Sequence, residues 1–305
     1  MISYIIRRLG GSVIVLFGIA LITFILAYAV PSDPARMILG QHATLQQVDA
    51  LRKQMGLDEP FIQQFGNYLM NIIHGNLGFS FLQNLPVATL IGQRLPATFQ
   101  LALVAWLMEL IIGLPIGVFM ALKDRKMTDH VFNLVSLIGI SLPTFFVGLE
   151  LMYWVAYRAN LFPVGGTGGL SFVILPGLTY GITGAAYYSR LLKSSMVDVL
   201  NSDYIRTARA KGAAPLRVIM GHAFRNAIIP VITYGATDIG ALFGGIVVIE
   251  DVFGYSGIGQ MAVQAINNLD TPIIMGTVLF AAVFVVAFNF IVDLLYGLID
   301  PRITY

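Results

Sequence analysis

Six long apolar stretches constrain this chain more than any other feature. They fall near residues 9–30, 98–122, 131–156, 172–189, 227–249 and 273–299 of 305. Each suffices for the roughly 20 helical residues that a hydrocarbon core requires. Hydrophobic residues make up 57% of the chain and charged ones 11%, with a mean hydropathy of +0.80. That balance points to a bilayer as the solvent. Within lipid, every backbone polar group must be bonded inside its own segment, and the period-2 alternation of a barrel is absent, so the spans are expected to be helices. The fold class is therefore all-α, a polytopic membrane protein with six transmembrane helices.

Basic residues orient the spans. With the N-terminus inside, thirteen of the eighteen Lys and Arg fall on inner segments and five on outer ones, most of the five in a single long loop. The positive-inside rule then puts both termini in the cytoplasm. Arg7-Arg8 precede the first span, whose uncharged core is longer than that of a signal peptide, so it is read as a retained helix. Cysteine is absent, which removes thiolate metal sites, Cys nucleophiles and disulfides together. A dispersed net charge of +2 leaves no footprint for nucleic acid.

Three regions follow: residues 1–30, the N-terminus and first span; 31–96, an extracytoplasmic cap; and 97–305, a five-helix core carrying an inner loop at 198–226. In the cap, Pro31-Ser32-Asp33-Pro34 ends the first helix. Thr44 with Gln47 forms a capping box and Gly56 a stop, framing a helix over 45–55. Pro60 opens a second helix, in which Phe61, Phe65, Tyr68, Leu69, Ile72 and Ile73 share a face up to Gly75. Gly113 and Gly117 around Pro115, and Pro143 in the third span, predict kinks. Ala236, Gly240 and Gly244 form a small-residue stripe in span five, beside Ala241 and Gly245, suited to packing within the subunit or against a partner.

No catalytic constellation emerges. Gly254-Tyr255-Ser256-Gly257 matches the run around an intramembrane serine nucleophile, but that chemistry needs a histidine base. His42, His74, His130 and His222 all fall on loops, so a glycine turn is the reading. No His-Glu-x-x-His metal motif and no phosphate-binding loop occur. Metal ligands and cofactors are thus not expected in this chain, and any nucleotide hydrolysis belongs to another polypeptide.

Seven basic residues gather between spans four and five. There 199–210 forms a helix, Gly212 breaks it and Pro215 opens a second, with Leu216, Ile219, Met220, Ala223 and Phe224 on one face and Arg217, His222 and Arg225 off it. Such a helix–break–helix suits a topological anchor, attachment to acidic lipid, or a docking surface for a soluble partner.

The run Tyr204-Ile205-Arg206-Thr207-Ala208-Arg209-Ala210-Lys211-Gly212, followed by His222-Ala223-Phe224-Arg225-Asn226-Ala227-Ile228-Ile229-Pro230, resembles the loop of permease subunits in the dipeptide, oligopeptide and nickel ATP-binding-cassette importers. The resemblance extends through Arg7-Arg8-Leu9, Asp33-Pro34, Gly56-Leu57-Asp58, Leu77-Gly78 with Ser80, Leu95-Pro96-Ala97-Thr98, Ser141-Leu142-Pro143, Leu175-Pro176, Gly257-Ile258-Gly259 and Asp300-Pro301-Arg302. Arg206-Thr207-Ala208 stands where the wider family has Glu-Ala-Ala, Gly212 keeps its glycine, and Asn76 replaces a frequent acid.

The resemblance implies a type I importer permease in the bacterial inner membrane. It also implies an ATPase-coupling loop at Arg206 through Gly212 with Pro215, His222, Arg225 and Asn226. The implied partners are a second permease, usually nonidentical, two cytoplasmic ATP-binding subunits and an extracytoplasmic substrate-binding protein. The solute is expected to be a dipeptide, a longer peptide, a glutathione-like compound, nickel or a metal chelate. A carrier driven by an ion gradient, the alternative, would show inverted repeats around broken helices, and no repeat is seen.

Acidic residues inside spans are expensive, about 2.5–3.5 kcal/mol on insertion scales, so Glu109, Glu150, Asp238 and Asp293 are expected to face protein or water. Asp238, midway along span five, is expected either to bond a neighbouring helix or to line the translocation path and favour cationic groups. Glu109 and Glu150 share that expectation.

Overall fold

A computed structural model describes residues 2–29, 34–40 and 43–299. The turn at Pro31-Ser32-Asp33, His42 and the Asp300-Pro301-Arg302 run lie outside the described residues, as does the side chain of Asp293. The chain forms two compact units, Met1–Pro96 with Gly257–Tyr305, and Ala97–Ser256. Among the described residues, four helices are long and apolar enough to cross a membrane: α1 (Ile2–Ala29), α5 (Val87–Leu122), α8 (Leu170–Leu200) and α14 (Thr271–Ile299). Two bent helix pairs raise the number to as many as six when each pair is taken as one span.

In the first unit, α2 (Pro34–Leu39), α3 (Leu45–Gln54) and α4 (Phe61–Ile73) follow α1. The capping box is formed: Gln47 N–H donates to Thr44 Oγ1, while the Thr44 N–H donates to Gln47 Oε1 at 2.9 Å. Gly56 closes α3 at φ +68°. Aromatic rings fix α4 to α1, with Phe24 lying 5.3 Å from each of Phe61, Phe65 and Tyr68. Burial pushes the Tyr68 phenol up to about 12, so it remains a neutral ring in this cluster. Ile73, expected on the packed face, is instead exposed, because it falls about 100° around the helix from Ile72, which stays half-buried.

Phe24→Ala should loosen α4 by about 1–2 kcal/mol, the scale of lost aromatic contacts, since lipid-facing burial adds little transfer energy. Faster amide exchange over residues 61–73 would show it.

A short ribbon, β1 (Phe79–Ser80) against β2 (Leu85–Pro86), leads into α5. Ser80 Oγ donates to the Asp270 carboxylate at 2.5 Å, both residues buried, although 190 positions separate them. Asp270 stands at the start of α14, so the ribbon and that helix are locked together. Asn76 Oδ1 accepts the Gly78 N–H and closes a local turn. Helix α13 (Ile258–Asn267) packs on α14 around Met261 and Ile273.

In the second unit, α6 (Met127–Ser141) and α7 (Thr144–Leu151) meet at 100° across Leu142-Pro143, where two extended residues interrupt the helix as proline demands. A wider π-helical stretch, Met152–Arg158, extends α7. Span two keeps an unbroken helix through Pro115. Its glycines serve packing: a Cβ on Gly113 would come within 2.8 Å of Ala185 O, and one on Gly117 within 2.8 Å of Ser189 O. Gly177 and Gly181 of α8 return the approach toward Val104 and Met108. The close seam of small residues therefore joins α5 to α8. On the stripe of span five, Gly244 has open space around it.

Candidate coupling surface and translocation site

Helix α8 ends at Leu200 and α9 (Asp203–Ala210) begins after Asn201-Ser202, a later start than the single helix expected from Val199. The reason is local: Ser202 takes extended backbone at the N-cap and its hydroxyl turns back to Val199 O. Gly212 then adopts φ +78°, with Ala213 N–H bonded to Ala208 O and Gly212 N–H to Arg209 O. This left-handed C-cap is the break the sequence calls for.

The second helix is π-helical over Arg217–Phe224 and passes through α10 (Arg225–Ala227) into α11 (Ile229–Gly245) across a 47° bend. Its wider turns rotate the packed face. Val218 and Ala223 are buried with Ile219 and Phe224 against them, whereas Leu216 is 71% exposed and Met220 is exposed too.

Ile205, Val218, Ala223 and Ala227 form one core with Tyr188, Leu192 and Met196 of α8. Above it, Arg206, Thr207, Arg209, Ala210, Lys211, Gly212, Pro215, His222, Arg225 and Asn226 are exposed, and Ala208 is half-buried. Asn226 donates to the Tyr204 hydroxyl at 3.0 Å, closing the two arms of the loop. The predicted loop residues thus share an exposed surface on a buried footing.

Beside this footing sits an ion-pair cluster that sequence reasoning missed. Lys193 Nζ donates to both Asp129 oxygens at 2.6 and 2.7 Å and lies 3.6 Å from Asp124. The Arg125 N–H and Asn133 Nδ2 also donate to Asp129. A basic residue inside an apolar helix is the signal that could have exposed it.

Deeper in the unit, the structure brings two of the three candidate path residues together. Glu109 of α5 is 1% exposed, and Asp238 of α11 is half-buried and within hydrogen-bond reach of it. Tyr188 donates to Asp238 Oδ2 at 2.8 Å, and Trp106 Nε1 donates to the Tyr188 hydroxyl at 3.1 Å. Gly184 makes room, since a Cβ there would overlap Glu109 Oε1. Glu150 is separate: it is exposed and accepts from Trp154 Nε1 at 3.0 Å. A buried acid also missed is Glu250 of α12 (Val247–Val252), which accepts from Thr98 Oγ1 at 2.6 Å. In the Gly254–Gly257 segment, Gly254 has φ +58° and the Ser256 N–H donates to Thr167 Oγ1, as a turn requires.

Long apolar helices, a basic loop held on a buried footing and a polar cluster inside the spans define a multi-pass membrane permease. The chain belongs to the family of binding-protein-dependent transport system inner membrane components, matched over residues 113–305, with the family's N-terminal region matched over residues 1–102. It is 35% identical to the glutathione transport system permease protein GsiC of Escherichia coli K12, and 37% identical to a putative peptide transport system permease protein of Brucella abortus. Both alignments cover the whole of each chain. The inward-facing MetNI methionine transporter shares the fold, with a TM-score of 0.58, 15% identity, and coverage of 69% of this chain and 96% of that one. The chain is thus the permease of a peptide-type ATP-binding-cassette importer, embedded in the inner membrane.

Proposed function

We propose that this permease pairs with a second, nonidentical permease to carry a peptide or related small solute inward, driven by ATP hydrolysed on two cytoplasmic partner subunits. The loop carries this reading. Its exposed residues between Arg206 and Gly212, all but Ala208, offer a docking surface, and Ile205 and Val218 beneath them tie it into the same core as α8. A push on such a rigid element reaches the spans, whereas a floppy tether would absorb it. An extracytoplasmic binding protein delivers the solute to the cap between residues 31 and 96, and the names of the relatives favour glutathione-sized peptides over nickel or chelates.

The complex, assembled in proteoliposomes with its binding protein, should accumulate a labelled tripeptide only when ATP is present on the loop side. Uptake supported by an ion gradient without ATP would replace this reading with a secondary carrier. The same reading requires both termini in the cytoplasm. Single cysteines at Gln47 and Pro215, both exposed positions, should therefore differ in intact cells. Gln47→Cys should react with an impermeant thiol reagent and Pro215→Cys should not. Reversed labelling would refute the orientation.

A further inference from the structure

The Glu109–Asp238 pair is chemically incomplete. Glu109 Oε2 is buried and has no hydrogen-bond partner, and Tyr188 serves Asp238 alone. Among the described residues neither carboxyl has a basic side chain paired with it. The other titratable groups near the pair are Tyr180 and Tyr188 on α8 and Tyr234 on α11. Two carboxyl groups this close inside an apolar span cannot both stand ionised without a cation between them. The cation is either a proton or part of a ligand.

The surroundings suit an organic ammonium. Tyr188 meets Tyr234 edge-on at 5.2 Å and Trp106 lies against the Tyr188 hydroxyl. Carboxyl oxygens beside aromatic rings recognise an alkylammonium through charge-assisted hydrogen bonds and the ring quadrupole. Because Asp238 is half-buried while Glu109 is enclosed, the approach in this chain is from the Asp238 side.

We propose that Glu109 and Asp238, with Tyr188, Tyr234 and Trp106, form a binding site for a primary ammonium group of the transported solute. The ammonium satisfies the unpartnered Glu109 Oε2 and bridges to Asp238. This rests on the transport reading above and narrows its solutes to those with a free amine.

The test uses the whole complex in lipid nanodiscs and two probes of one backbone: trialanine amide, a cation, and N-acetyl-trialanine amide, which is neutral. Calorimetric titration should show the cationic probe binding at least tenfold more tightly. Asp238→Asn and Glu109→Gln should each erase that preference. Asp238→Asn keeps an acceptor for Tyr188, so its thermal midpoint should stay within a few degrees of the parent and separate ligand loss from misfolding. Equal affinity for the two probes would leave a proton as the pair's sole cation and overturn the proposal. No measurable binding of the cationic probe, or an undiminished preference in the folded Asp238→Asn complex, would overturn it as well. If ATP-driven uptake persists in proteoliposomes while the preference is missing, only this inference fails. If ATP-driven uptake is itself absent, the transport reading fails.

Discussion

Gly212→Leu is expected to lower ATP-driven uptake at least tenfold while leaving the protein folded and inserted. Gly212 holds φ +78° with open space around it, so a side chain there meets no wall and the penalty is conformational. A left-handed backbone costs a non-glycine residue about 1–2 kcal/mol, enough to unwind the cap in which Ala213 bonds Ala208. The Arg206–Lys211 surface would then be presented at another angle to its partner. Gly212→Asn is the control, because asparagine tolerates this backbone, and it should retain most of the uptake. Normal uptake by the leucine variant would remove the loop's geometry from coupling.

The second large effect is expected at Lys193. Lys193→Met leaves Asp129, buried and accepting four hydrogen bonds, without the ammonium that supplies two of them. Breaking a deep ion pair costs about 3–5 kcal/mol, and this one, at the end of its helices with Asp124 partly exposed, should cost about 2–3 kcal/mol after screening. A lower thermal midpoint in detergent would register it. Lys193→Met combined with Asp129→Leu should recover more than half of the loss, because no buried charge is then stranded. A double variant as unstable as the single one would mean that the lysine stem, not its charge, holds α6 to α8.

What could be read from the sequence was whatever neighbouring residues decide between themselves. The Thr44–Gln47 capping box, the stop at Gly56, the break at Pro143 and the left-handed turn at Gly212 are each set within a few positions. The helical spans and the surface position of the loop residues followed for the same reason. Contacts across many positions were not legible. Ser80 finds Asp270 190 residues away, Thr98 finds Glu250 across 152, and Asp238 meets Tyr188 and Glu109 from two other helices. Periodicity also misjudged the loop's second helix, because a 3.6-residue repeat does not describe the π-helical turns of Arg217–Phe224, in which Met220 is exposed, as is Leu216 just ahead of them. The glycines beside Pro115 likewise bring α5 against α8, a contact that only the folded chain reveals.

Tyr188 belongs to two neighbourhoods at once. Its ring lies in the core with Ile205, Val218 and Ala223, and its hydroxyl holds Asp238. Under the proposed function, helix α8 would act as a crankshaft whose one journal is the loop and whose other is the acidic site. A rotation of a few degrees driven at the loop would lengthen the 2.8 Å Tyr188–Asp238 bond and loosen the grip on whatever the acids hold. Release of cargo would in this way be timed to the nucleotide cycle without any separate latch.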